Sequence, residues 1–148
     1  MRKLIILHYP AKSVGEINFN SGYIMEKKLN YKMQMDVKYD YLEKINVPDI
    51  VKNCTDKWFN QSLCNVNSSV FRLGIFEGEY HLHKHDHDDE LFFVIEGSII
   101  LETEKGNFEL GQYEGVCVPK GVMHRPIAKN KAVVLMIENI GIDPIGND

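Results

Sequence analysis

The chain has 148 residues, with 17 basic against 21 acidic side chains, a net charge of −4 and 44% hydrophobic residues. That length and apolar fraction suit one compact domain with its own core, and the acidic balance leaves no basic stripe for nucleic acid. Three cysteines, Cys54, Cys64 and Cys117, lack CxxC spacing, which argues against a disulfide framework or zinc knuckle and for a reducing compartment.

The start, Met1-Arg-Lys-Leu-Ile-Ile-Leu7, has a basic head but only four apolar residues before His8. A secretory signal needs an apolar stretch of about 7–15 residues, and no run is long enough to span a membrane. A cytoplasmic protein with no membrane partner is expected. Residues 1–30 read as a short strand followed by a polar segment containing Asn and Gly. Tyr31, Met33, Met35, Val37, Tyr39 and Tyr41 then alternate with polar residues, the pattern of a one-sided strand. Its apolar face must cover a core or a second copy of the chain, so a homodimer is expected.

Residues 47–64 read as one or two short helices, with Pro48 in a first turn and Thr55 or Asp56 as a cap. Trp58 is expected to anchor packing. From Val66 onward, short strands are expected near 69–76, 79–85, 90–96, 98–104, 106–110, 114–118, 122–128 and 131–138. Many short strands separated by Gly-containing turns define an all-β sandwich or barrel. The chain divides on this reading into an extension, 1–65, and a barrel, 66–148. Cys117, between two valines, is expected to be a small buried hydrophobe.

The segment Tyr80-His-Leu-His-Lys-His-Asp-His-Asp-Asp-Glu90 carries four of the six histidines at alternate positions. Side chains two apart on a strand share a face, so His81, His83, His85 and His87 can line one wall. Imidazole suits Zn, Cu, Fe and Ni, and a carboxylate extends the choice to Mn. Glu90 opens the apolar run Leu91-Phe-Phe-Val-Ile95, and Gly97 marks a turn. A second block, Val116-Cys-Val-Pro-Lys-Gly-Val-Met-His124-Arg-Pro-Ile127, places a turn at Gly121 just before another histidine.

These blocks resemble the paired motifs of the cupin superfamily. The first motif, an HxH followed by Glu and then Gly, is matched by His83, His85, Glu90 and Gly97. The second, a PxG followed by His, is matched by Pro119, Gly121 and His124. Among the four histidines, only the His83/His85 pair fits the family's spacing while Glu90 keeps its six-residue gap to Gly97. Two positions depart from the pattern: Tyr113 stands where the family has Gly, and Ala128 where it has Asn. The resemblance extends to small single-domain cupins labelled mannose-6-phosphate isomerase-like, a label that does not establish a substrate.

The resemblance implies a cupin jelly-roll β-barrel with a short N-terminal extension of a strand and one or two short helices. It implies one divalent transition metal ion, Fe, Mn, Ni or Zn, held by His83, His85, Glu90 and His124. His81 is a candidate partner behind the ligands, with an exposed turn histidine as the alternative, and His87 is expected in solvent. Arg125, of opposite strand parity to His124, is expected on the outer face. A metal-dependent isomerase or dioxygenase acting on a small oxygenated metabolite is one functional reading. A non-catalytic small-molecule-binding or sensing protein is a second, and a metal that only staples the barrel is a third.

Overall fold

The chain divides into two compact units, Met1–Asn30 and Tyr31–Asp148, and the computed structural model describes residues 30–147. The short strand and polar segment expected over 1–30 lie outside the described residues, Asn30 excepted. The described unit holds β1 (Lys32–Gln34), α1 (Val47–Asn53), β2 (Trp58–Val66), β3 (Ser69–Glu79), β4 (Glu90–Glu96), β5 (Ile99–Thr103), β6 (Gly106–Leu110), β7 (Gly115–Val118) and β8 (His124–Asn139). It is an all-β jelly-roll barrel, as the motif resemblance implied.

The strands follow the order β1-β2-β3-β8-β4-β7, with β5 joining β8 and β6. β8 organises the barrel. It pairs with β3 along one side, while on the other its start pairs with β5 and its later half with β4. Residues directly opposite on paired strands share a face. Ser62, Arg72, Met136, Phe92 and Val116 therefore form one inward row across five strands. Trp58, Phe76 and Ala132 form another, and the apolar members of both rows belong to the interior core.

The opposite face of β2, β3 and β8 presents Leu63, Leu73, Ile75 and Val133. Val47, Ile50 and Val51 of α1 pack on it, together with Tyr39 and Ile45. Leu63 and Leu73 are fully buried there, and each such leucine contributes about 1.5–3 kcal/mol. Pro48 sits in the first turn of α1, where a missing N–H removes no helical bond.

Several local expectations change. The alternating segment 31–41 forms a strand only over Lys32–Gln34, parallel to β2. Beyond it the chain touches β2 again through Lys38 N–H to Ser62 O and Tyr39 N–H to Leu63 O. Met35, Val37 and Tyr41 are 46%, 44% and 83% exposed, so the apolar stripe is not a continuous packed face. The second half of 47–64 is strand β2, because both its faces are needed: Trp58 and Ser62 inward, Phe59 and Leu63 beneath α1. Segment 79–85 is not a strand of its own: Glu79 ends β3, and the rest meets β8 through Tyr80 N–H to Pro126 O and the His83–His124 bridge. The strands expected over 122–128 and 131–138 are one. Cys117 is exposed, since Val118 and Val116 take the inward positions of β7.

Candidate metal centre

His83 and His124 exchange backbone hydrogen bonds, His83 N–H to His124 O at 3.0 Å and His124 N–H to His83 O at 2.8 Å. Cross-strand partners of this kind project to one side, and their ring centroids lie 4.5 Å apart. Gly121, at φ +80°, turns the chain so that its N–H reaches the His85 carbonyl at 2.7 Å. The backbone N–H of the neighbouring Lys120 reaches Asp89 Oδ1 at 2.8 Å. The glycine of the second motif thus fixes a histidine of the first. Glu90 opens β4 and points inward with Phe92 and Val94.

His83, His85, Glu90 and His124 are all buried, and one ligand atom from each lies within 4.8 Å of the other three. Glu90 Oε2 stands 3.0 Å from His124 Nε2 and 3.2 Å from His85 Nε2. The Nδ1–H of His124 donates to Val122 O at 2.9 Å, and that of His83 to His81 O at 3.1 Å. A neutral imidazole has one donor nitrogen and one acceptor. With Nδ1 already donating, a neutral His124 directs its Nε2 lone pair at a carboxylate oxygen. That contact needs a positive charge in it, either a proton or a cation.

Electrostatics agree. Burial alone would raise the Glu90 pKa, but hydrogen bonds and charge from His124 and His85 outweigh it and hold the carboxyl well below its usual range. Burial alone would depress His124, yet the Glu90 hydrogen bond and charge and the Val122 carbonyl raise it above the ordinary value. Burial lowers His83 to about 4, with Glu90 offsetting only part of that. The centre therefore presents an anion, a neutral imidazole and an imidazole whose proton a cation can replace.

The surroundings show what the sequence left open. His81 Nε2–H donates to Ile145 O at 2.7 Å, leaving Nδ1 to accept from Tyr31 Oη at 3.3 Å. His81 meets the cluster twice, its backbone carbonyl accepting from His83 Nδ1–H and its ring lying against the His83 ring with centroids 4.9 Å apart. Arg125 lies on the outer face, bonded to Glu102 and Glu79. Two buried charges escaped the sequence reading: Arg72 and Glu138, 2% and 3% exposed. Burial and the neighbouring Glu90 charge hold the Glu138 carboxyl well above its usual range, and Arg72 Nε lies 3.6 Å from Glu138 Oε2. Their signal was parity, since Arg72 alternates with Val70, Gly74 and Phe76, and Glu138 with Val134 and Met136. A small void of about 30 Å³ opens beside the cluster, lined by His83, Glu90 and Asn60 together with Tyr31, Trp58, Phe76, Tyr80 and Phe92.

A Cupin domain family model matches residues 74–138, the stretch holding all four clustered side chains and most of the barrel. The chain belongs to the cupin superfamily. It is 34% identical over 95 residues to the uncharacterized protein YdbB of Bacillus subtilis (strain 168), covering 64% of this chain and 84% of that one. A cupin-2 domain containing protein from Shewanella frigidimarina is 33% identical with a TM-score of 0.61, over 64% of this chain and 93% of that one. A protein of solved structure from Neisseria meningitidis is 28% identical with a TM-score of 0.59, over 66% and 99% of the respective chains. Among the described residues no helix is long and apolar enough to cross a membrane.

Proposed function

We propose that His83, His85, Glu90 and His124 hold one divalent transition metal ion, Fe, Mn, Ni or Zn, beside which a small oxygenated metabolite binds and reacts. The observation that carries this is the contact between His124 Nε2 and Glu90 Oε2 at 3.0 Å, with Nδ1 of the same ring committed to a carbonyl. Two ligand atoms each about 2.1 Å from a common ion and 90° apart stand about 3.0 Å from one another. The 3.0 and 3.2 Å separations around Glu90 Oε2 match that edge. Carbonyl acceptors behind His83 and His124 hold the tautomer that frees Nε2 for a metal.

When bound, the ion would polarise a carbonyl or hydroxyl pair, or activate dioxygen if it is Fe(II), which keeps isomerase and dioxygenase chemistry within reach. The protein's own part is to exclude water, through the wall of Trp58, Phe76 and Phe92, and to keep Glu90 ionised. A second reading is binding or sensing without turnover, in which the ion and the barrel hold a small ligand. A purely structural metal is disfavoured, because His83 and Glu90 line a void open to solvent. The reading also carries a cytoplasmic location, in keeping with three free cysteines, and a homodimer that would cover Met35, Val37 and Tyr41.

Elemental analysis of untagged wild type beside His83→Ala and His124→Ala tests the centre. Near-stoichiometric metal in the wild type and its loss in both variants is expected. Full metal retained by both variants overturns the assignment.

A further inference from the structure

We propose that His81 is the latch of the metal centre. Its ring fastens the start of β1 to residues 144–147 across the mouth of the void, and an ion passes in or out only when that ring lets go. The proposal rests on the metal reading for the ion, and on the hydrogen bonds around His81 for the latch.

Burial makes a moving part necessary. His83, His85, Glu90 and His124 are all buried, and the void beside them holds about 30 Å³, roughly the share of one water molecule in the liquid. An ion arriving with its hydration shell needs more room than that, so a wall has to move. Phe76, Phe92 and Met136 belong to strands hydrogen-bonded on both sides. Tyr31 precedes the three-residue edge strand β1, and Pro144 lies beyond β8 in no strand; both line the void. These two are the walls that can yield.

His81 joins them. The Ile145 carbonyl can only accept, so His81 Nε2 carries the proton of their 2.7 Å bond, and Nδ1 is left to take the Tyr31 hydroxyl hydrogen at 3.3 Å. The same phenol oxygen accepts from the His81 backbone N–H at 3.0 Å. Both ring nitrogens are thus spent on closing the mouth. Further bonds zip 144–147 to the ligand-bearing segment: Tyr80 Oη–H to Pro144 O at 3.1 Å, Asn147 N–H to Lys84 O at 3.0 Å and Asp86 N–H to Asn147 Oδ1 at 3.1 Å. The His81 ring also stacks on Tyr31, with centroids 5.6 Å apart, and lies 4.9 Å from the His83 ring. It therefore covers a ligand of the ion without being one.

A latch and a brace differ in what their loss does. Losing a brace disorders a ligand, so release quickens and affinity falls with it. Losing a latch opens the way in both directions, so uptake and release quicken by one factor and affinity stays the same. His81→Phe keeps the ring and the backbone carbonyl that accepts from His83, and removes both nitrogen bonds. Tyr31→Phe cuts the same link at its other end and keeps the stacked ring.

Zinc uptake is timed by stopped flow, release by transfer to excess EDTA, and affinity by competition with a chelating indicator, in wild type, both single variants and the double variant. Each single variant is expected to raise both rates about threefold or more, the net worth of a hydrogen bond, with affinity unchanged. The double variant is expected to be no faster than the faster single one, because both changes cut one link. Faster release with unchanged uptake overturns the latch and makes His81 a brace. Unchanged rates, or rates that multiply in the double variant, overturn it as well. If wild type takes up no zinc, the metal reading fails by itself, and the latch is judged on the metal-free protein. Trp58, the chain's single tryptophan, lines the same void, and acrylamide, larger than water, reaches it there through an opened mouth. Stronger quenching in both single variants than in wild type then supports the latch, and equal quenching overturns it.

Discussion

The Arg72 guanidinium meets the Glu138 carboxyl inside the barrel, Nε to Oε2 at 3.6 Å, with both side chains closed off from solvent. Neither Arg72 Nε nor Glu138 Oε2 has a hydrogen-bond partner, so the pair is held by charge. Burial and the neighbouring Glu90 charge push the Glu138 pKa well up, and Arg72 pulls it back. The two residues therefore decide together how much negative charge stands behind the metal centre.

Replacing Arg72 by Met removes that compensation, and breaking a buried pair in this way costs about 3 kcal/mol or more. The loss should depend on pH in a defined direction. A carboxyl whose folded pKa is raised contributes stability that is present below its unfolded value, near 4.5, and lost as pH rises through the folded one. Without Arg72 the rise is larger, so the stability gap to wild type widens with pH. Urea unfolding of the metal-free proteins at pH 5 and pH 8 measures it, and an equal gap at both would mean that Arg72 does not compensate Glu138.

Metal binding has its own pH signature. His124 carries a proton that its Glu90 partner holds above the ordinary histidine value, and an ion must displace it. Affinity should therefore fall about tenfold per pH unit below the His124 pKa. His83, lowered to about 4, adds a second competing proton only near that pH. The difference in melting temperature with and without saturating zinc should narrow steadily from pH 8 to pH 5. A difference that stays constant over that range speaks against displacement of the proton.

Tyr113 occupies the left-handed region at φ +67° and is 70% exposed. This is the position where the family pattern has glycine, and its N–H still reaches Val94 O at 2.7 Å. Left-handed backbone costs a residue with a Cβ about 1–2 kcal/mol, and glycine returns part of that as unfolded-chain entropy. Tyr113→Gly should raise stability by about 0.5–1 kcal/mol in chemical denaturation. A destabilised variant would show that the tyrosine ring contributes more than its backbone costs.

Gly146 ties the C-terminal tail to the metal-bearing segment. At φ +95°, a Cβ there would stand 2.9 Å from both His83 Cβ and Lys84 O. Gly146→Ala should cost about 1–3 kcal/mol through strain and displacement of the tail. It should also weaken zinc binding, because His83 is what the new methyl meets. Calorimetric melting together with zinc affinity checks this, and unchanged values for both would mean the tail does not brace His83.

The candidate site was more legible in the sequence than the fold around it. Ligand spacing is set by chemistry: His83, His85 and Glu90 must converge, Gly97 must turn where a Cβ would meet Lys131 O at 2.8 Å, and Gly121 must reach His85. The alternation of 31–41 was real but told only which side chains share a face, not which strand would pair with them. Trp58–Val66 carried capping signals for a helix, and its strand state follows from being sandwiched between the interior and α1. Arg72 and Glu138 went unread because charged residues inside strands usually face solvent, and only a partner on the neighbouring strand makes the inward position tolerable.

The order of the four side chains along the chain has a kinetic corollary. His83, His85 and Glu90 are neighbours in sequence, whereas His124 comes 34 residues after Glu90. A denatured chain can already chelate through the first three, so an ion would stabilise the native state by less than its full affinity. Only closure of the long loop that brings β8 home completes the set. Refolding with zinc present would then begin from a tethered peptide, with the arrival of His124 marking the formation of the barrel itself.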